Sequence, residues 1–420
     1  MITVAEINDI DRIDHFRLAW RALLGKTKGA TFAHSPEWLE QYWAHFGKDL
    51  KLRVLLVTLR NKIIGIVPLV VKPVSTPLGT LRVLTYPLDS WGTFFGQIGG
   101  NPAATMVTAL RHIRSSRRDW DLIDLRYIDQ DGHDHRRTSN ALKSVGYQGS
   151  PAIWRRLSMV NTSDTSWIEY LASRSPETRN RIEQAEEITA QSGHVSFYRS
   201  RLEDPLAPGW NPRWDLWAQF EQMDFQAGKQ TLIAGGEFSL KQKLAFLRDI
   251  HGPAARAGMA RIDALFVNHT VAAFAYGLQY AADTDYLALG RMPGTSPETL
   301  TTLLSQMIRQ SIQDGEPALN LGLVGLPSAG LWTNQILKSY RCSHFPLTAP
   351  RTQLLRLNRW LQKPAPRPKV SQTEAVPPVT ETRETQPSIE LAAVAPDDWP
   401  VEQPVPTHTS SERPPFRIVG

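Results

Sequence analysis

"YLALGRMPGTSPETLTTLL", residues 286–304, decides how this chain is read. Its apolar start reads as a buried strand, residues 291–296 as a break, and Ser296-Pro297-Glu298 as a helix start. Serine accepts an orphan amide there, and proline loses nothing at the first helical position. Strand, glycine-containing turn and helix in that order are the unit of an α/β sheet. Two readings of the break stay open. One is a tight structural turn. The other is a cradle for an anion, since the first amides of a helix and its dipole favour negative charge. Gly294 would let backbone approach a ligand, and Arg291 would add a guanidinium fork suited to phosphate.

Working outward, the stretch belongs to a pattern that occurs twice. "KLRVLLVTLRNKIIGIVPLVVKPV" (51–74) and "ARIDALFVNHTVAAFAYGLQY" (260–280) are each two runs of branched and aliphatic residues around an Asn-containing turn. That is the hairpin signal. After the first come a predicted strand at 81–86, a helix at 103–115 and a strand at 120–128. After the second come a strand at 285–291, a helix at 297–312 and a strand at 318–324. Similar order in both halves predicts a duplicated α/β fold, each unit a mixed sheet flanked by helices. Between them, "SPETRNRIEQAEEITAQSG" (175–193) reads as a helix capped by Ser175 and ended by Gly193. "SPEW" at Ser35 opens another in the same way. The units are placed at 1–150 and 151–360.

From Lys363 onward the composition changes: twelve of the chain's 30 prolines lie there, with few aromatic or branched apolar residues. Such a segment cannot bury enough surface to offset its ordering entropy, so 361–420 is expected to be a disordered Pro-rich tail. The 420 residues carry a net charge of +6 and a pI near 9.4, a balance that favours anionic partners without choosing among them. The single cysteine, Cys342, excludes an internal disulfide framework and a thiolate zinc cluster. No secretory signal is visible and no apolar run is long enough to span a membrane, so the chain reads as cytoplasmic, with peripheral membrane contact left open.

Three further stretches have bland readings. "DGHDHRR" (131–137) reads as a polar loop with no metal-ligand spacing. "RHIRSSRR" (111–118) reads as a solvated helix face. "GQIGGNPAA" (96–104), with Gln97 and Gly100 before a helix, reads as a plain turn or a relic of the 291–296 loop.

The order of these segments, from "TFAHSPEWLEQYWAHFG" through "RRDWDLIDLRYI" and "MARIDALFVNHTVAAFAYGLQY" to "ILKSYRC", resembles the CelD-like acyltransferase family. This is a branch of the GNAT superfamily related to the Fem-type aminoacyltransferases of peptidoglycan synthesis. Arg291-x-x-Gly294-x-Ser296 resembles the GNAT pyrophosphate loop. The resemblance implies two tandem GNAT-like units, with acyl-CoA (acetyl-CoA or longer) as co-substrate in the second and no metal. The acceptor it implies is a small molecule or glycan, such as a polysaccharide or cell-envelope precursor. The amides of Gly294, Thr295 and Ser296, with Arg291, would hold the donor's diphosphate, and a backbone amide near Leu289 would polarise the thioester carbonyl. The acceptor must lose a proton, and Asp285, Asp224 and Glu221 are the candidate bases. Tyr286 or Tyr340 would return a proton to the leaving thiolate. Lys338 matches the family's lysine near the end of the fold. The runner-up donor is an aminoacyl-tRNA, nucleic acid being otherwise unexpected; a further reading is a non-catalytic scaffold that recruits partners through the tail. The chain departs from the family pattern at Glu298, at Asn320, where an aspartate is common, and around Glu221 and Phe225.

Overall fold

The computed structural model describes residues 2–361 apart from 150, 201–204, 206–209, 224–230, 282 and 327. Asp224, Phe225 and the Pro-rich stretch beyond Leu361 lie outside the described residues. Met1–Lys363 form one compact unit.

The first half supplies strands β1 (Ile2–Ile7), β2 (Lys51–Leu59), β3 (Lys62–Thr76), β4 (Gly79–Thr85), β5 (Leu122–Ile128) and β6 (Pro151–Asn161). The second supplies β7 (Val195–Arg199), β8 (Thr231–Ile233), β9 (Ala260–Val267), β10 (Thr270–Tyr280), β11 (Asp283–Arg291), β12 (Ala318–Asn320) and β13 (Gln335–His344). Helices of the first half are α1 (Arg17–Leu24), α2 (Pro36–Phe46), α3 (Pro102–Ser115) and α4 (Arg137–Ser144). Those that follow are α5 (Trp167–Ala172), α6 (Pro176–Gln191), α7 (Trp214–Phe220), α8 (Leu240–Arg256), α9 (Glu298–Gln313), α10 (Ala329–Trp332) and α11 (Pro350–Leu361).

All of these strands join one mixed sheet in the order β1-β2-β3-β4-β5-β13-β6-β12-β11-β10-β9-β7, with β8 attached to β11. The two Asn turns close hairpins as expected. Arg60 and Asn61 (φ 49° and 62°) and Asn268 and His269 (φ 49° and 65°) adopt the left-handed pairs of a type I′ turn. They set Leu59 opposite Lys62 and Val267 opposite Thr270. The helix expected at 103–115 is α3, and that at 297–312 is α9, each within a residue or so at its ends. The strand expected at 318–324 stops at Asn320, because the Asn320 side chain accepts the Gly322 amide (3.1 Å) and turns the chain out of the ladder. β13 was not legible as a strand between distant partners: it inserts between β5 and β6, antiparallel to both.

The helices are fixed by apolar stripes at helical spacing. Met106, Ala109, Leu110 and Ile113 of α3 pack on Leu55, Val57, Val67 and Leu69 of β2 and β3. Leu303, Leu304, Met307 and Ile308 of α9 pack with Ile182 of α6 on Leu265, Ala275 and Leu289. Each such large side chain contributes about 1.5–3 kcal/mol by leaving water. Helix α3 lies unusually close to the sheet: a Cβ at Gly65 of β3 would fall 2.0 Å from Thr105 Oγ1. Only glycine admits that approach.

Candidate functional site

Strands β11 and β12 run parallel only over Asp283–Asp285 and Ala318–Asn320, and then part. A cleft of about 480 Å³ opens beside that parting and is walled by Thr284, Asp285, Asn320, Thr93, His133 and Lys338, among others. Side chains from both halves of the sequence meet here. Asp285 and Lys338, named from the sequence, are thus walls of one cavity, brought together by β11 and β13.

Local hydrogen bonding explains the geometry. Asn320 Nδ2 donates to Asp285 Oδ1 at 2.6 Å, and the Thr93 hydroxyl donates to the same oxygen at 3.2 Å. Asn320 also donates to the Thr93 hydroxyl. Thr93 belongs to the irregular segment 86–101, which is pinned at several points. Ile98 exchanges two backbone bonds with Ile66 of β3 (2.8 and 2.9 Å), and Phe95 N–H donates to Tyr127 O at 2.8 Å. Tyr127 sits at φ 64°, where β5 carries an extra residue opposite Tyr340–Cys342. A non-glycine residue held there costs of order 1–3 kcal/mol and is characteristic of strained functional regions. At the cleft wall, Thr284 is buried and its hydroxyl has no hydrogen-bond partner among the described residues.

The "DGHDHRR" loop frames the cleft. Asp129 accepts from the Gly132 and His133 amides (3.0 and 2.7 Å), and its carboxylate lies 3.0 Å from His133 Nδ1. Asp131 accepts from the Tyr340 phenol at 2.8 Å, a bond that raises the phenol's pKa. No group of three or more His, Cys, Asp or Glu side chains placed to hold a metal occurs among the described residues. Cys342 is buried, and burial pushes its thiol up to about 12.

The other sequence candidates lie elsewhere. Tyr286 is fully buried, and its phenol donates to Asp263, which also takes a two-pronged bond from Arg199 (2.9 and 3.0 Å). Burial raises the Tyr286 pKa well above the ordinary phenol value. Glu221 accepts the Trp217 indole N–H at 3.0 Å and is a wall of neither large cavity.

The 291–296 loop is engaged with its own chain. Arg291 donates to the Thr295 carbonyl, and the Ser296 hydroxyl donates to the Glu298 carboxylate, a bond that lowers the Glu298 pKa. Ser35 and Ser175 accept amides three residues on, as expected of capping serines, at 3.1 Å each. Ser296 accepts an amide only two residues on, that of Glu298, at 3.4 Å, while its hydroxyl donates to Glu298 Oε2, and Pro297 takes the cap position of α9. Gly294 adopts φ 79°, and a Cβ added there would meet nothing within 4 Å. Residues 291–296 wall neither large cavity. Leu289 pairs with Leu232 of β8. The Leu287 carbonyl accepts the Ala234 amide (2.8 Å), so by the alternation of an antiparallel ladder the Leu289 amide also faces β8.

What the sequence reading did not bring forward is the set around Asp285: Thr93, Asn320 as a donor, His133 and Asp129. Its one available signal was the pair of histidines among carboxylates at 131–137. A second cavity, of about 220 Å³, shares Gly29, Phe94, Asp129 and His133 with the first.

The sheet is large and mixed, carries helices on its faces and repeats one order of elements. The chain is similar in structure to FemX, with a TM-score of 0.53 at 12% identity over 84% of this chain and 99% of that one. L-PGS from Bacillus licheniformis aligns over 81% of this chain and 96% of its own, at 13% identity and a TM-score of 0.48. A tandem GNAT protein from the clavulanic acid biosynthesis pathway aligns over 82% and 99%, at 10% identity and 0.37. At these identities the likeness concerns the fold. No family model and no curated protein matches the sequence. No described helix is long and apolar enough to cross a membrane.

Proposed function

We propose that the chain is an acyltransferase of GNAT type, moving an acyl group to an amine or hydroxyl in the Asp285 cleft, with 1–150 and 151–360 as its two units. The observation that carries this reading is a carboxylate, oriented by Asn320 and Thr93, in the same cavity as Lys338. Asp285 would take the proton of the attacking amine or hydroxyl as a new bond forms to the acyl carbon. The Lys338 ammonium would face the negative charge that develops on the carbonyl oxygen, and as the carbon–sulfur bond breaks the leaving thiolate would take the proton that Asp285 received. Acyl-CoA is the proposed donor, and a glycan or other envelope precursor the proposed acceptor. Seating that donor at Arg291, Gly294, Thr295 and Ser296, with its carbonyl at the Leu289 amide, would require the Arg291–Thr295 and Ser296–Glu298 bonds and the β8 pairing to give way.

Thiol release from acetyl-CoA and longer acyl-CoAs, with a panel of amino and hydroxyl acceptors, tests the reading. Asp285→Asn should lower turnover about 10²–10⁴-fold, the range of a general base. No thiol release with any pair, together with no calorimetric binding of any acyl-CoA, would dismiss it. The FemX-like fold supports one second reading, an aminoacyl-tRNA donor, with a cytoplasmic setting in either case. Filter binding separates the two: a tRNA complex that weakens steeply with salt favours the second.

A further inference from the structure

We propose that the cavity of about 220 Å³ beside the N-terminus of α3 is a binding site for a phosphoryl group, held by His34, Lys26 and Lys28. This inference does not depend on the transferase reading.

Helix α3 has 14 residues, and Asn101 before it makes no side-chain cap bond. Its first-turn amides thus keep the partial positive charge of a helix end, which an anion satisfies. The cavity is walled at that end by Gly99, Gly100 and Pro102. The second α/β unit differs in this respect, since Glu298 brings its own carboxylate to the start of α9.

His34 points independently to a ligand. It is only 4% exposed, stacks on Phe95 (centroids 4.6 Å apart, planes at 11°) and walls the cavity. The Thr31 amide donates to its Nδ1 at 3.1 Å, so Nδ1 carries the lone pair and Nε2 the proton. Burial lowers its pKa to about 4, which keeps the ring neutral. Nε2–H makes no hydrogen bond among the described residues, and the ring is a wall of the cavity, so this donor remains for a ligand there.

The charge balance fits an anion. Lys26 and Lys28 are exposed at the rim and form no ion pair among the described residues. Arg137 adds a third cation, although its Nε is spent on the Asp134 carbonyl (2.8 Å). Two carboxylates share the walls, and both are occupied by the chain's own donors. Asp129 takes the Gly132 and His133 amides, and Asp134 takes the Thr138 hydroxyl (2.6 Å) and amide. Burial also raises the Asp134 pKa. The donors left for an anion are therefore two ammonium groups and an imidazole N–H, near the positive end of a helix dipole, which suits a multiply charged tetrahedral group.

The test is calorimetry of the full chain with inorganic phosphate, pyrophosphate and ADP. Saturable binding of at least one is expected. ADP binding more tightly than pyrophosphate would mark the site as one for a phosphate ester, and the reverse would mark it as one for the inorganic anion. The double variant Lys26→Ala/Lys28→Ala should weaken binding about tenfold or more. His34→Asn keeps an acceptor for the Thr31 amide but lacks the distal N–H, and should also weaken it about tenfold. Asn101→Asp places a carboxylate on the helix end. It should abolish binding while leaving the melting temperature equal or higher, an outcome that a merely structural role for this turn does not give. No saturable binding of any probe, or equal affinity in all the variants, would overturn the proposal.

Discussion

Replacing Asn320 with aspartate puts two carboxylates where the protein has a carboxylate and an amide. The Asn320 nitrogen lies 2.6 Å from Asp285 Oδ1. Two carboxylate oxygens tolerate that separation only with a proton between them, so one pKa of the pair must rise. A rise of about three units above the unfolded value near 3.9 costs about 4 kcal/mol at pH 8, at 1.36 kcal/mol per unit. At pH 5 only about 1.5 kcal/mol of that is felt, because the folded pair holds its extra proton against an unfolded value just about one unit lower. The sign follows from linkage: the folded state binds more protons than the unfolded in this window, so stability falls as pH rises. With an unfolding entropy of about 2.1 cal/mol/K per residue over about 360 residues, 4 kcal/mol is about 5 °C in melting temperature. Circular-dichroism melts of the parent and Asn320→Asp at pH 5 and pH 8 should show a deficit about 3 °C larger at the higher pH. An equal deficit at both would refute the close Asp285–Asn320 contact. Asp285→Asn in the same background should remove the pH dependence.

Burial lowers the pKa of His34, His251 and His344 to about 4 each. Since the folded values lie below the unfolded 6.5, their contribution is complete above pH 6.5 and is lost as pH falls toward 4; a melting temperature flat between pH 7 and 5 would contradict this. Tyr286→Phe leaves the buried Asp263 short of one donor and should destabilise by about 1–3 kcal/mol in urea titration, while any acyltransfer keeps its pH profile. A shifted profile would return Tyr286 to the chemistry. Glu298→Gln removes the carboxylate bonded to Ser296 and should tighten acetyl-CoA binding several-fold in calorimetry if the 291–296 loop seats the donor. Unchanged affinity would place the donor elsewhere.

The fold was legible where local chemistry determines it. Asn61 and Asn268 mark their turns because asparagine readily accepts the left-handed conformation that two successive residues of a type I′ turn require, and the α3 and α9 stripes show a period that only a helix satisfies. The candidate site was legible only in part. Lys338 carried family likeness and Asp285 stood among three unranked candidate bases, yet nothing in the order of residues says that Thr93 lies beside Asp285. That contact depends on the strained Tyr127 and on a non-local bridge between Ile66 and Ile98. The loop at 291–296 shows the converse. Its spelling suits an anion, but Glu298 stands two positions beyond Ser296 and takes the hydroxyl for itself.

The placement of β13 has a consequence for biosynthesis. Ile128 leaves the ribosome long before its neighbour Tyr340, so β5 and β6 emerge with bare edges and wait for nearly all of the folded body to be translated. During that interval the nascent chain offers strand edges to any passing polypeptide, and a product truncated before Gln335 would keep them exposed for good.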